Sequence, residues 1–455
     1  MTHAPHASLL RRRDLAVRAA VEQGLVTEDR SPVAALLDVA AVREQARALH
    51  AAFRAVAAPD QPVLHTFAVK ASSLVPVLRL LADEGIGCEV ASPGELALAR
   101  AAGVESAATV LDSPAKTGAE LREALALGIA LNADNPQELA RLDALAPGPG
   151  ARLGLRVNPQ VGGGAIGAMS TATATSKFGF PLRDEGAREG LVRAYLDRPW
   201  LTRLHAHVGS QGIPLELMAE GVRAVHELAE EINAETERRE GRRRIDTLDL
   251  GGGLPVNFAS DAVDPTYTRY ARLLAETVPG LFDGTYGLVT EFGRSLLAKA
   301  GTVLARVEYA KTSGGRRIAL THAGAQLAVR TVFAPDAWPL RVAAYDPKGR
   351  PKTGEPVVQD VAGPCCFAGD LVARERPLPL LEESDHAALL DTGAYYFSTP
   401  FGYNSLPRPG VYGYTVDEDE NVSFATVREP QTVREIIAES GGAQRDALRG
   451  LMATG

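Results

Sequence analysis

The sequence predicts an α/β protein: a closed, parallel, TIM-like (β/α)8 barrel over residues 41–297, followed by a mainly β domain over 298–455. Three observations predict it. Apolar strand-like runs alternate with helical runs eight times between residues 63 and 293. The conspicuous polar residues of that region fall at the carboxyl ends of the strand-like runs, where barrels of this kind carry their chemistry. After about residue 300 the pattern changes to alternation, with a Gly-Gly turn in GTVLARVEYAKTSGGRRIALTHA, as in antiparallel strands. An open doubly wound sheet is the alternative, but eight units over about 250 residues fit a closed barrel better.

Residues 1–32 read as a helical lead-in whose basic triplet, Arg11 to Arg13, has no apolar segment long enough for a signal peptide. SPVAALLDV reads as a strand that joins the β domain before the chain enters the barrel, so residues 1–40 form a lead-in. AAVREQARALHAAFRAV has apolar residues three and four apart, the spacing of an amphipathic helix. The barrel strands are then expected at 63–70, 87–92, 109–114, 129–134, 152–158, 202–209, 245–253 and 286–293. Helices such as LVPVLRLLADEG, PGELALARAAG and PLELMAEGVRAVHELAEEINAETERRE lie between them. Beyond the barrel, Pro-rich stretches near 334–356 and 406–410 interrupt the strands, and DEDENV reads as a solvated hairpin turn.

The chain has 455 residues, 45% hydrophobic, with a net charge of -8 and a mean hydropathy of -0.05. That balance argues against nucleic acid or an anionic membrane as partner. No run approaches the length of a transmembrane helix. Three cysteines, Cys88, Cys365 and Cys366, are too few for a disulfide framework. They lack zinc-type spacing with histidine, so no metal is expected. A reducing, cytoplasmic compartment is the expectation.

The organising stretch is VLHTFAVKASS, an apolar run that ends on Lys70. A lysine at the end of a buried strand can be desolvated, which lowers its pKa and frees the amine to attack a carbonyl. Taken singly, such a lysine more often snorkels to water. Arg156 ends the fifth strand, and His207 and Ser210 follow the sixth. Gly251, Gly252 and Gly253 follow the seventh, and Glu291, Gly293 and Arg294 end the eighth. Each has a plainer reading: a core histidine, a tight turn, an ion pair at the rim. One cofactor site explains all of them together, with the glycines exposing backbone N–H groups to a phosphate.

The segments FAVKASS, GCEVASPGEL, RVNP, SKFGF, HAHVGSQG, LDLGGGLP, EFGRSL, GPCCFAGD and GYNSLPRP occur in one order between residues 67 and 409, within a match of about residues 36 to 412. The chain thereby resembles the fold type III pyridoxal-phosphate decarboxylases, the family of diaminopimelate and ornithine decarboxylases, with its alanine racemase-like fold. The resemblance implies pyridoxal 5'-phosphate held covalently by Lys70, with His207 stacked on its ring. Ser210, Gly251, Gly252, Gly253, Gly293, Arg294 and Tyr403 would bind the phosphate, and Glu291 would pair with the pyridine nitrogen. An acid there keeps the ring nitrogen protonated. Alanine racemases set an arginine against that nitrogen, so Glu291 argues for decarboxylation over racemisation. Cys366 matches a cysteine that enters the site from the partner subunit of a head-to-tail homodimer, and Cys366 or Lys70 would supply the final proton.

The pattern breaks where the substrate's distal end is read. Phe367 follows the cysteine, where family members carry Glu or Asp to meet a distal amine. Arg330 matches an arginine for a distal carboxylate, but Thr331, Ala334 and Leu406 depart from the usual proline, tyrosine and arginine. Together with Arg156, Arg330 and Phe367 are the candidate substrate contacts. The expectation is an amino acid other than plain diaminopimelate, ornithine or lysine, with an apolar or acylated end, as in secondary metabolism. A racemase or epimerase on the same scaffold, or a non-catalytic cofactor-binding regulator, are the competing readings.

Overall fold

The computed structural model describes residues 8–451, so the first seven residues of the expected lead-in lie outside the described residues. Contacts divide the chain into two compact units, Ala40–Lys299 and the segments on either side of it. The chain starts with α1 (Leu9–Glu22), whose first turn is capped by Ser8 Oγ accepting from the Arg11 N–H. Its Ala16, Val17 and Ala20 lie on one face and pack into an apolar cluster with Leu36, Leu304, Tyr345 and Tyr414. β1 (Val33–Asp38) follows.

The chain then passes through α2 (Val39–Arg54), β2 (Val63–Ala68), α3 (Val75–Asp83), β3 (Gly87–Val90), α4 (Pro93–Ala101), β4 (Thr109–Leu111) and α5 (Gly118–Leu127). Next come β5 (Ala130–Ala133), α6 (Pro136–Leu145), β6 (Leu153–Asn158), the two-residue β7 (Phe180–Pro181) and α7 (Ala187–Asp197). β8 (Leu201–His205), α8 (Leu215–Glu240), β9 (Thr247–Asp249), α9 (Tyr267–Thr277), β10 (Gly287–Phe292) and α10 (Arg294–Leu297) complete this stretch. Strands β2, β3, β4, β5, β6, β8, β9 and β10 pair in parallel in that order, and β10 pairs back onto β2, which closes an eight-stranded barrel. The strands are buried on both faces, which is why they read as near-continuous apolar runs. Several helices start on side-chain caps. Thr117 and Glu120 form a capping box, and Ser92 and Asn135 accept from the third backbone N–H.

The observed strands are shorter than their sequence runs. β2 stops at Ala68, and Lys70 sits on a single 3-10 turn, Val69–Ala71. β8 stops at His205 and β9 at Asp249, so His207 and the three glycines stand on loops beyond the ladder. Apolar alternation continues past the last ladder bond because these loops still pack on the barrel. What ends the strand is the backbone, as at Gly251 with φ +64.

The second unit continues with β11 (Gly301–Ser313), β12 (Arg316–Thr321), α11 (Ala325–Phe333), β13 (Val342–Tyr345), β14 (Val357–Ala362) and β15 (Leu371–Leu378). It ends with β16 (His386–Leu390), β17 (Val411–Val416), β18 (Val422–Arg428) and α12 (Val433–Glu439). The sheet runs β15-β14-β12-β11-β1-β17-β18, with β16 also on β11 and β13 on β16. β1 lies antiparallel to β11 and parallel to β17. The β11–β12 hairpin turns on Gly314 and Gly315, both at positive φ (56 and 78), as a tight hairpin between right-twisted strands requires.

Candidate active site

The barrel brings Lys70, Glu89, Asp112, Arg156, His205, His207, Asp249, the glycines 251–253, Glu291 and Arg294 to the carboxyl ends of its strands. Lys70 is not the desolvated amine expected at a buried strand end. Its side chain is 43% exposed and its Nζ lies 2.6 Å from Glu89 Oε2. Glu89 is 1% exposed. Burial, with Glu291 and Asp112 nearby, pushes its carboxyl above the usual range against the pull of Lys70. The lysine therefore sits in an ion pair rather than in an apolar pocket.

Arg156 sends Nη1 to Asp112 Oδ2 at 2.7 Å, and its guanidinium lies 4.3 Å from the centroid of the Phe178 ring. It is bound to this carboxylate, which qualifies its expected part as a substrate contact. His205, fully buried, stands between two acids: Nδ1 is 3.6 Å from Asp112 Oδ2 and Nε2 is 3.4 Å from Glu291 Oε2. Burial opposes its charge, but Asp112, Glu291 and Asp249 outweigh burial and raise its pKa to about 9. His207 approaches the same carboxylate, Nδ1 to Glu291 Oε2 at 3.5 Å, and accepts from the Gly252 N–H at 3.3 Å. Its pKa is lowered, by burial first and also by Arg156 and Lys70. Burial likewise works against an ionised Glu291, yet His205 and His207 hold it well below the usual carboxylate range.

The glycines are required by contact. A Cβ on Gly252 would collide with the Glu291 carbonyl, and one on Gly253 with the Gly209 backbone. Gly251 and Gly253 also hold positive φ, 64 and 88. Ser210 lies on the same loop as His207, partly buried, and its carbonyl accepts from the Ile213 N–H. Gly293 precedes the four-residue α10, which begins at the buried Arg294.

The remaining predicted residues lie in the other unit. Cys366 is exposed, and its N–H donates to Asn404 Oδ1 at 2.8 Å. Phe367 stacks on Phe333 at 5.4 Å between centroids and meets Tyr403 edge-on at 5.4 Å. Arg330 lies over Tyr395 at 4.6 Å and Trp338 at 5.2 Å. Asp370, the acid that could have stood in for a missing carboxylate beside Cys366, is buried and accepts the N–H groups of Ala325 (2.6 Å) and Cys365 (2.7 Å). It is committed to its own backbone.

Asp112, His205 and Asp249 escaped the sequence reading. His205 is two residues before His207, in the same run HAHVGSQG. That was the available signal. Their charge partners lie on other strands.

A lysine paired with a buried acid, at a barrel mouth with a glycine-rich turn, marks a site for a small anionic cofactor that reacts with an amine. Both oxygens of the ionised, buried Glu291 lack a hydrogen-bond partner among the described residues, because the two imidazoles approach without alignment. Such an anion suits a cationic N–H of an aromatic ring, and the set fits pyridoxal phosphate.

Comparisons with known proteins agree. The family model described as "Pyridoxal-dependent decarboxylase, pyridoxal binding domain" matches residues 39–298. A diaminopimelate decarboxylase of Pseudomonas aeruginosa is 35% identical over 381 residues, 83% of this chain and 86% of that protein. One of Aquifex aeolicus is 30% identical over 372 residues, 81% and 83% of the two chains. The solved diaminopimelate decarboxylase of M. jannaschii in co-complex with L-lysine is 25% identical. It has a TM-score of 0.79 and covers 93% of this chain and 94% of its own. The chain belongs to the pyridoxal-dependent decarboxylase family. Its cofactor is pyridoxal phosphate, and within that class it is a carboxy-lyase of the diaminopimelate decarboxylase kind.

Proposed function

We propose that the enzyme decarboxylates an amino acid whose distal end carries an apolar or acylated group instead of a free ammonium. In this reading Lys70 holds the cofactor, His207 covers one ring face, and Glu291 meets the ring nitrogen. Ser210, Gly251, Gly252, Gly253, Gly293 and Arg294 receive the phosphate. When bound, pyridoxal phosphate supplies the sink for the electron pair of the breaking carbon–carboxylate bond. Glu291, negative and buried, keeps a proton on the ring nitrogen, and that deepens the sink. Lys70 would hold the cofactor covalently, and Glu89, 2.6 Å from its Nζ, would take or return the lysine's proton. The buried, ionised Glu291 in one cluster with Lys70 and Glu89 carries the decarboxylase reading.

The altered substrate rests on the Phe367–Phe333 stack and on the burial of Asp370. Together they leave an aromatic surface where an acid would be needed for a distal ammonium. An aromatic face attracts a cation by only about 0.5–2 kcal/mol. Arg330, held among rings, suits an anionic group on the substrate. We also propose a head-to-tail homodimer in which Cys366 and Tyr403 of one copy serve the site of the other. A CO2-release screen over L- and D-amino acids and acylated diamino acids tests the reading, with products analysed in deuterated water. Release of CO2 and an amine from an apolar- or acyl-ended substrate supports it. Turnover of meso-diaminopimelate at roughly 1–1000 per second overturns the altered substrate. A deuterated, inverted amino acid without CO2 overturns decarboxylation.

A further inference from the structure

His205 belongs to none of the roles above, yet it is 0% exposed and sits where three acids meet. Around it the barrel core holds a row of alternating charge. Arg156 Nη1 is 2.7 Å from Asp112 Oδ2, Asp112 Oδ2 is 3.6 Å from His205 Nδ1, and His205 Nε2 is 3.4 Å from Glu291 Oε2. Asp249, also buried, faces the same imidazole from β9, and the buried carboxyl of Glu89 lies near Glu291. Three acids surround one imidazole, and water does not reach it. Neither ring nitrogen makes an aligned hydrogen bond among the described residues, so the imidazole acts on its neighbours through charge and position.

We propose that His205 is a positioning residue: as the central cation of the Arg156–Asp112–His205–Glu291 row, it keeps Glu291 ionised and holds its carboxylate toward the cofactor's ring nitrogen. The inference rests on the placement of Glu291 given above. The physical reason is desolvation. A carboxylate buried near Asp249 and Glu89 would take up a proton unless a cation stood in contact with it. His207 cannot serve alone, because burial, Arg156 and Lys70 disfavour its charged form. A protonated Glu291 would no longer pair as an anion with a protonated ring. Asp112 has a matching duty one step back: bound to Arg156, it stabilises the charge of the imidazole across 3.6 Å.

The test uses the holoenzyme loaded with pyridoxal phosphate labelled with 15N at the ring nitrogen, whose resonance reports ring protonation. His205→Gln keeps a polar side chain and removes the charge. It is expected to fold and load the cofactor, with a lowered melting temperature, and to move the 15N resonance toward its neutral-pyridine position. kcat should fall ~10–100-fold, as for groups that orient a directly acting residue, with KM changed less than about threefold. Asp112→Asn, at the far side of the imidazole, is expected to move the resonance the same way by less, and it reads the row independently if His205→Gln does not fold. Combined with Glu291→Gln, neither substitution should move the resonance further. An unshifted resonance in a folded, loaded His205→Gln or Asp112→Asn enzyme overturns the proposal. So do effects that add to those of Glu291→Gln. If Glu291→Gln by itself leaves the resonance in place, the placement of Glu291 fails first, and this proposal with it.

Discussion

His65 on β2 is 1% exposed, with Nδ1 2.8 Å from Thr290 Oγ1 and its ring edge-on to His50 at 4.9 Å. Burial, then the neighbouring His50, lowers its pKa from 6.5 to about 3. The folded protein thus binds this proton less readily than the unfolded chain. Its contribution to stability is fully present above pH 6.5 and is lost as pH falls from 6.5 toward 3, by up to ~1.4 kcal/mol per pH unit. Denaturant midpoints measured from pH 7.5 to 5 should fall along that limb, and His65→Leu should flatten it. Phe367 sets a second expectation at this scale. Phe367→Glu places an acid beside Cys366 where none is free, since Asp370 is held by the N–H groups of Ala325 and Cys365. A charged hydrogen bond to a distal ammonium contributes about 1.5–3 kcal/mol, so kcat/KM on meso-diaminopimelate should rise roughly 10–100-fold. Unchanged steady-state kinetics on that substrate would place the specificity elsewhere. Among single residues, His207 and Glu291 stood out in the sequence because they lie in the runs HAHVGSQG and EFGRSL. Asp112 did not, because its importance lies in Arg156 and His205 across the barrel.

Elements explain why the glycine-rich turn after β9 cannot drift. Gly252 packs against the Glu291 carbonyl and Gly253 against Gly209, so this loop, the loop after β8 and the end of β10 touch backbone to backbone. Gly252→Ala must push β10 away at the residue that carries the key acid. A loss of ~1–3 kcal/mol or more in stability is expected, together with loss of cofactor binding. Gly148→Ala, where a Cβ meets nothing within 4 Å, serves as the control and should melt within a degree or two of wild type. The eight strand–helix alternations were legible because period and burial are written locally. Strand ends were overrun at His207 and Gly251 because the loops keep the apolar pattern of the strands they continue.

At the scale of the molecule, sharing of sites between copies is testable by mixing. In the proposed homodimer, Lys70→Ala would destroy the site of its own barrel, and Cys366→Ala would damage the site of the other copy. If Cys366 serves the other copy, mixed dimers hold one intact site in two. Equal mixtures of the two inactive variants, refolded or co-expressed, should regain about a quarter of wild-type activity per total protein. No recovery, with mixed dimers verified, would place Cys366 in its own chain's site or in none. The order of motifs, the barrel and the groups at its strand ends were determined by the sequence by itself, because each is a local property of spacing and residue type. The partnerships were decided only by the tertiary structure. Lys70 is salt-bridged to Glu89 rather than desolvated, Arg156 is bound to Asp112, and His205 stands between two acids. Those pairs join residues 19, 44 and more than 80 positions apart, and an interaction that falls off within a few ångströms is set by distances that no linear pattern contains.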